Sequence, residues 1–300
     1  MKEWEPHVNY PVGEVVNIGD RIFLCVLEHR SGEEFDKSNW KKFGDKRMNE
    51  HRDKNFACIT SMNKDYYENI GKYMLTTYKK HWSHIMPMYV YNEDCFKIKV
   101  KTVDTRGWTL GNDYIAFQRR HTNSKVKVFA KKAYPIIDAM YNLNCDRLIW
   151  VDADTVITGS LPPGFVELLC PDDVLSAHFS VWHEKDDKTY HSCETGFFVL
   201  NKRHEGFADF ASTYKEIYNK DKTEGMRRFY DGEVYGRTVE LMQEKGYKMN
   251  NLNPARHKTP ISRSAMAPYI THFKAGLKDR VELDEMIKNQ GIDISEIPED

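Results

Sequence analysis

The sequence predicts an α/β fold, and three observations carry that prediction. Residues 55–63 form a buried strand pattern, residues 65–81 a helix pattern and residues 86–92 a second strand pattern. Strand, helix and strand at this spacing make a βαβ unit, which implies a parallel sheet. A helix pattern at 129–140 then leads into an apolar strand, residues 148–151. The sheet is therefore expected to continue beyond its first unit, with helices between the strands.

Composition limits the classes of function. The chain has 300 residues, 40% hydrophobic and 13% aromatic, which is enough to fill a large core. Its 44 lysines and arginines nearly balance its 45 aspartates and glutamates, and this disfavours nucleic-acid binding by a basic surface. No apolar run reaches the roughly 18 residues of a membrane span, and the first residues do not resemble a signal peptide. We therefore expect a cytoplasmic protein without a membrane span.

The cysteines indicate a reducing compartment. There are six, and none belongs to a Cys-x-x-Cys pair. Several lie within apolar runs, as Cys25 does. This pattern predicts buried free thiols and neither a zinc site nor a disulfide framework.

Residues 1–45 have a pattern of their own. Short β-prone runs alternate with glycine turns, which predicts two or three antiparallel strands. The order of these residues resembles small chitin-binding-type carbohydrate modules, and it rests on Tyr10, Gly13, Val16, Gly19, Phe23, Cys25, Ser31, Gly32 and Trp40. Trp4, Tyr10 and Trp40 are expected either to form the core of so short a unit or to stack on sugar rings. Residues 46–54 are charge-dense and predict a linker.

The remaining elements follow in order along the chain. Alternation predicts a half-exposed strand at 97–104, and residues 111–125 indicate a loop or a broken helix. Residues 190–195 indicate a polar loop that enters an apolar strand at Gly196. The other expected elements are a turn at 161–164, a short helix through Leu169, a strand at 173–178, and helices at 206–219 and 231–245.

Asp152 and Asp154 follow the apolar strand directly and flank Ala153. Residues two apart on an extended segment point to the same side. Two carboxylates on one side of a buried strand end repel each other unless a cation lies between them. Mn²⁺ or Mg²⁺ suits such oxygen ligands and commonly bridges to phosphate. The alternative is a strand that merely ends in a solvated turn.

Further polar residues are expected near this point. Ligands of open α/β sheets bind at the carboxyl ends of the strands, so Thr60, Ser61 and Asn63 would face a nucleotide. From the helix at 129–140, Lys131 or Lys132 would reach a donor phosphate or remain an ordinary solvated lysine.

The later part of the chain adds a third candidate ligand. His272 follows a β-prone run, and its imidazole suits Mn²⁺ beside two carboxylates. Lys274, Lys278 and the backbone near Gly276 would cradle a diphosphate. Asp231 stands at a helix start, where an N-cap is the simpler interpretation.

Together these residues resemble the GT-A class of nucleotide-sugar glycosyltransferases, most closely the retaining glycogenin-like and lipopolysaccharide galactosyltransferase-like families. The resemblance covers residues 55–280 and implies a Rossmann-like mixed sheet flanked by helices, followed by an acidic tail at 281–300. In those families a strand-borne Asp-x-Asp and a late histidine hold Mn²⁺, and a lysine six positions later contacts the diphosphate. These map onto Asp152, Asp154, His272 and Lys278.

The resemblance also implies substrates. The donor would be a nucleotide diphosphate sugar, a UDP-sugar before a GDP-sugar, and the acceptor a glycan or a protein, with retention of configuration. The donor-binding set that we predict comprises Thr60, Ser61, Asn63, Lys132, Asp152, Ala153, Asp154, Thr195, Gly196, Lys274, Gly276 and Lys278. The pairing with a chitin-binding-like module suggests a viral or phage origin, and then a place in the host cytoplasm or the virion.

Two positions depart from the family pattern. An Asn-x-Gly before an apolar strand becomes Glu194-Thr195-Gly196, and a later Asp-Gln becomes Asp231-Gly232. Both positions touch donor sugar or acceptor in the families. Glu194 and Asp231 are therefore the candidates for stabilising a cation-like sugar transition state or for orienting the acceptor.

Two other functions fit parts of the pattern. Residues 152–156 also satisfy the Asp-x-Asp-x-Thr/Val motif of haloacid-dehalogenase-like phosphatases, in which the first aspartate is phosphorylated and the second is an acid/base. In that fold the motif normally ends the first strand, whereas a complete βαβ unit precedes it here. The second alternative is a non-catalytic carbohydrate-binding protein, which would be indifferent to metal.

Overall fold

The computed structural model of the chain describes residues 2–10, 15–18, 21–25, 28–45, 55–98, 100, 103–107, 111–185, 188–273 and 280–292. The predicted linker at 46–54 lies outside these residues. So do Lys274, Gly276 and Lys278, so the diphosphate contacts predicted for them stay predictions.

Short strands occupy the described part of the first 45 residues: β1 (Lys2–Glu3), β2 (Asn9–Tyr10), β3 (Val15–Ile18), β4 (Arg21–Cys25), β5 (His29–Arg30) and β6 (Trp40–Asp45). β3, β4 and β6 pair antiparallel as expected, but β1 joins β3 in parallel. The reason is that β2 intervenes and pairs with β5 instead, so the chain re-enters the sheet in the same direction. Tyr10 and Trp40 are buried in the core of this unit, while Trp4 is half-buried.

A seven-stranded mixed sheet organises the rest of the described chain. Its strands are β7 (Phe56–Met62), β8 (Met88–Asn92), β9 (Val103–Gly107), β10 (Arg147–Val151), β12 (Ser176–Lys185), β13 (Lys188–Asn201) and β14 (Met249–Asn251). They lie in the order β14-β12-β13-β10-β7-β8-β9. β10, β7, β8 and β9 are parallel, as the βαβ pattern predicts. β13 runs antiparallel to both β10 and β12.

Helices cover both faces of this sheet. They are α1 (Lys64–Tyr66), α2 (Lys72–His81), α3 (Asn112–Arg120), α4 (Ser124–Asn142), α5 (Phe165–Leu169), α6 (Phe207–Lys220), α7 (Asp231–Glu244) and α8 (Arg280–Asn289), with a π-helical turn, Tyr67–Gly71, between α1 and α2. Strand alternation explains the two layers, because Ile149 and Val151 of β10 face one apolar cluster and Leu148 and Trp150 face another. The predicted α/β sheet flanked by helices is confirmed.

Three elements differ from their sequence patterns. The third parallel strand begins at Val103 and not at residue 97. Residues 112–120 form a continuous helix, because Tyr114 and Phe117, three apart, bury one face. Residues 190–195 belong to β13 and do not form a loop, since they complete an antiparallel hairpin with β12 that closes at Lys185 and Lys188.

Two smaller elements complete the fold near the end of β10. β11 (Thr155–Ile157) pairs antiparallel with β15 (Ile270–His272). α8, within the predicted tail, packs Leu283 and Ile287 against Tyr73 and Phe273. None of the described helices has the length and apolar character needed to cross a membrane. No cysteine forms a disulfide, and Cys95 is exposed where a buried thiol was expected.

Candidate metal and donor site

Asp152 and Asp154 lie in a turn at the carboxyl end of β10. The strand ends at Val151, and the Thr155 N–H donates to the Asp152 carbonyl at 3.1 Å to close the turn. The two carboxylates therefore converge through a turn and not through the extended geometry predicted from the sequence. Asp152 is held from the neighbouring strand as well, because its N–H donates to the Gly196 carbonyl at 2.9 Å.

His272 reaches this turn through β15. His272 pairs with Thr155 of β11, and the Phe273 N–H donates to the Asp154 carbonyl at 2.8 Å. The Nε2 atom lies 3.0 Å from Asp154 Oδ1 and 3.7 Å from Asp152 Oδ2. One ligand atom from each of Asp152, Asp154 and His272 lies within 4.8 Å of the other two. A strand pair thus joins side chains 118 positions apart.

Gly196 leaves room for the imidazole. A Cβ at this position would lie 2.7 Å from both Cε1 and Nδ1 of His272. The Nδ1 atom is buried without a hydrogen bond among the described residues, and Glu194 Oε1 lies 3.8 Å from it. Glu194 is itself held, because the Gly196 N–H donates to Oε1 at 3.2 Å.

Among the described residues, Lys132 brings a positive charge into the site. Its Nζ lies 2.5 Å from Asp152 Oδ1 and 3.2 Å from Asp231 Oδ2, and it donates to the Thr195 carbonyl at 2.6 Å. The Thr195 hydroxyl donates to the same Asp231 oxygen at 2.6 Å. The Trp150 indole N–H donates to Asp152 Oδ1 at 2.6 Å. Asp231 therefore points into the site and does not cap its helix, whose N-cap residue is Tyr230.

Burial and charge shift the pKa values of these groups. Burial raises the pKa of Asp152, and the Lys132 and His272 charges only partly oppose that rise. Burial lowers the pKa of Lys132, but the Asp152 and Asp231 carboxylates outweigh it, so the pKa is raised and the lysine stays charged. The pKa of His272 is also raised, because its bond to Asp154 and the Asp152 charge outweigh burial.

The donor set fits a divalent cation. Among the described residues, four carboxylates, those of Asp152, Asp154, Glu194 and Asp231, surround one lysine and one histidine. Such an excess of negative charge in a partly buried site favours binding of a cation. Two carboxylates and one imidazole suit Mn²⁺, whereas Mg²⁺ prefers oxygen ligands alone.

A cavity of about 430 Å³ opens beside the carboxylates. Ser61, Asn63, Lys132, Ala153 and Asp231 are among the residues that line it, together with Asp152 and Asp154. Val128, whose side chain is 59% exposed, gives the cavity an apolar wall beside Phe129. The cavity therefore offers an apolar surface next to a charged one.

The comparisons with known proteins concern the fold. No family model and no curated protein matches this chain. Among solved structures, the apo structure of WbbM, a bifunctional glycosyltransferase, matches 88% of this chain with a TM-score of 0.52 and 11% identity, and this chain spans 53% of that one. The predicted GT-A fold is confirmed.

Two further structures are similar to the chain. A glycosyltransferase involved in glycosylation of the major capsid of PBCV-1 matches over 77% of this chain and 98% of its own, with a TM-score of 0.42 and 11% identity. The galactosyltransferase LgtC, in complex with donor and acceptor sugar analogs, matches over 78% and 95%, with a TM-score of 0.45 and 12% identity.

The fold brings most of the predicted residues together, but five of those that the structure describes do not line the cavity: Thr60, Glu194, Thr195, Gly196 and His272. Thr60 is fully buried in β7 and does not line the cavity. Glu194 is not among the described residues that line it either, although it reaches His272. Asn63 has a second role, since its side chain accepts the Tyr66 N–H as the N-cap of α1.

Two residues of this candidate site were missed from the sequence. The Tyr66 hydroxyl donates to Asp154 Oδ2 at 3.0 Å, across 88 positions, and no local pattern marks it. Trp150 contacts Asp152 from two positions earlier, and its polar indole N–H at the end of an apolar strand was the available signal. Of the two candidate lysines, Lys131 instead pairs with Glu93 at 3.0 Å.

Proposed function

We propose that the chain is a metal-dependent glycosyltransferase. It moves a sugar from a nucleotide diphosphate sugar, a UDP-sugar before a GDP-sugar, to a glycan or protein acceptor. The observation that carries this proposal is the cluster of Asp152, Asp154 and His272 at the edge of the 430 Å³ cavity, within the fold of a glycosyltransferase chain. Retention of configuration is proposed from the resemblance of the motifs alone.

The charge of the site explains the need for a metal. Among the described residues, the positive charge of Lys132 is already shared by Asp152 and Asp231, and four carboxylates oppose the approach of a diphosphate. Asp152, Asp154 and His272 would hold Mn²⁺ or Mg²⁺, which would supply positive charge to the leaving diphosphate. Lys132 and Trp150 hold Asp152 in place, and Tyr66 holds Asp154.

The sugar end of the donor is assigned to Asp231. Its carboxylate lines the cavity and is fixed by Lys132 and Thr195, so it presents negative charge without reorganising. A fixed carboxylate stabilises the cation-like sugar of a glycosyl-transfer transition state. Glu194, set back against His272, orients the imidazole. The apolar wall at Val128 and Phe129 suits a nucleobase or sugar face.

The test measures release of UDP or GDP from a panel of sugar nucleotides, with Mn²⁺ and with EDTA. We expect release from one donor, abolished by EDTA and reduced at least about 100-fold by Asp154→Ala or His272→Ala. Asp173→Ala removes an exposed carboxylate paired with Lys248 and is the matched control that should leave release unchanged. No release from any donor, together with no metal-dependent nucleotide binding, would overturn the proposal.

Phosphate release and glycan binding separate the two alternatives. A phosphatase would release phosphate from phosphomonoesters and carry a phosphoryl group on Asp152, whose Oδ1 is here bonded to Lys132 and Trp150. A binding-only protein would bind glycans equally well with Mn²⁺ and with EDTA. Either result, obtained without nucleotide release, would favour that alternative.

A further inference from the structure

A second group of metal-ligating side chains lies on the hairpin of β12 and β13. His178 belongs to β12, and His191 and Cys193 belong to β13. One ligand atom from each lies within 4.8 Å of the other two. His178 and Cys193 are 1% and 5% exposed, and the His191 side chain is 8% exposed. This cluster shares no residue with the site described above.

Two imidazoles in this cluster share a single hydroxyl. The Nε2 atoms of His178 and His191 lie 3.1 and 3.0 Å from Ser180 Oγ. His191 Nδ1 faces the Glu240 carboxylate at 3.8 Å, which is beyond hydrogen-bonding distance. Ser180 has one hydroxyl proton, so it can donate to only one of the two rings.

His178 is then left with an unsatisfied nitrogen. If its Nε2–H donates to Ser180, its Nδ1 keeps a lone pair, and this atom is buried without a hydrogen bond among the described residues. If the proton sits on Nδ1, that buried N–H faces the Ser176 backbone without a hydrogen bond of normal geometry. Nδ1 is therefore unsatisfied with either placement of the proton. A cation between the two rings and the thiol would satisfy it.

We propose that His178, His191 and Cys193 form a structural Zn²⁺ site. Two imidazoles and one thiolate are a borderline-soft donor set that suits tetrahedral Zn²⁺ better than Mn²⁺ or Mg²⁺. Glu240 orients His191 from behind, as carboxylates commonly do for zinc-bound histidines. Zn²⁺ displaces one proton from the Cys193 thiol into solvent, and the Zn–S bond forms in its place.

The protonation states of His178 and Cys193 without a metal agree with a zinc site. Burial lowers the pKa of His178 to about 3, so its ring is neutral and its lone pair is available. Burial raises the pKa of the Cys193 thiol, so its proton is lost only when a metal takes its place. The cysteine spacing predicted no zinc site because these ligands come from two paired strands and not from a local Cys-x-x-Cys pair.

The position of the proposed zinc site would also affect the candidate metal and donor site. Cys193 directly precedes Glu194 and Thr195, and its carbonyl lies against α7, where a Cβ on Gly232 would be 2.5 Å from it. A Zn²⁺ clamp between β12 and β13 would hold this strand, and with it the Thr195 contacts to Lys132 and Asp231. The inference does not depend on the proposed function.

The test is metal binding by the full chain carrying Asp154→Ala, which weakens the other site. We expect one Zn²⁺ per chain after gel filtration, measured by mass spectrometry of the metal. Loading with Co²⁺ instead should give a thiolate-to-cobalt charge-transfer band, which only a cysteine ligand produces. Cys193→Ser and His178→Gln should lose both signals, and Cys145→Ser, a buried cysteine elsewhere, should keep them.

Two outcomes would overturn the site. One is the absence of a charge-transfer band from the Asp154→Ala protein. The other is a band that survives in Cys193→Ser. If Cys193→Ser does not fold, His191→Gln takes its place, and a band that survives in that variant likewise overturns the assignment.

Discussion

The substitution Gly196→Ala tests the ligand geometry by size alone. The new Cβ would lie 2.7 Å from His272 Cε1 and Nδ1, whereas ordinary contacts begin at 3.4 Å, so the ring must move by 3.4 − 2.7 = 0.7 Å. Metal–ligand distances tolerate only about 0.2 Å. Displacing an oriented ligand should therefore weaken Mn²⁺ binding about 10- to 100-fold, or by about 1.4 to 2.8 kcal/mol.

The measurement is a Mn²⁺ titration followed by the electron paramagnetic resonance of free Mn²⁺, which needs no substrate. Gly111→Ala is the matched control, because nothing lies within 4 Å of a Cβ placed there. We expect unchanged affinity for the control and an unchanged circular dichroism spectrum for both variants. If Gly196→Ala folds and binds Mn²⁺ as tightly as the parent, His272 is not a metal ligand.

Three further predictions concern buried groups. Lys132→Met should destabilise the metal-free protein by about 3–5 kcal/mol in urea denaturation, because Asp152 and Asp231 lose their cation. Lys248→Met, at an exposed pair with Asp173, should cost under about 1 kcal/mol, and equal losses would contradict this. Tyr66→Phe removes the hydroxyl that orients Asp154 and should weaken Mn²⁺ binding about 10-fold by calorimetry, unlike Tyr141→Phe at an exposed ring. With EDTA present, His178 binds its proton less readily when folded, at a pKa of about 3 against 6.5 when unfolded. Its contribution to stability is therefore complete above pH 6.5, and it falls by up to about 1.4 kcal/mol per pH unit as the pH drops towards 3. In urea denaturation at pH 7, 6 and 5, the free energy of unfolding of His178→Gln should depend less on pH than that of the parent. Parallel pH dependences would show that His178 does not have this lowered pKa.

The order of elements could be predicted from the sequence because each signal is local. The strand before Asp152, the first βαβ unit and the helices after residue 206 are marked by the period of their apolar residues. The same local reading failed at residues 190–195, where polar residues belong to a strand. Pairing with β12 decides that strand, and the polarity of residues 190–195 does not reveal that pairing.

The candidate site was likewise predictable from the sequence only in part. The sequence by itself determined that Asp152 and Asp154 stand together at a strand end, because residues two apart cannot separate far. Only the tertiary structure decided that Lys132 pairs with Asp152 while Lys131, which lines the same cavity, pairs with Glu93, because neighbouring residues of α4 point in different directions. It also brought Tyr66 to Asp154, and it brought His178 and His191 from two strands to Ser180. Contacts between residues far apart in the chain depend on sheet register and helix packing, which no local pattern of residues encodes.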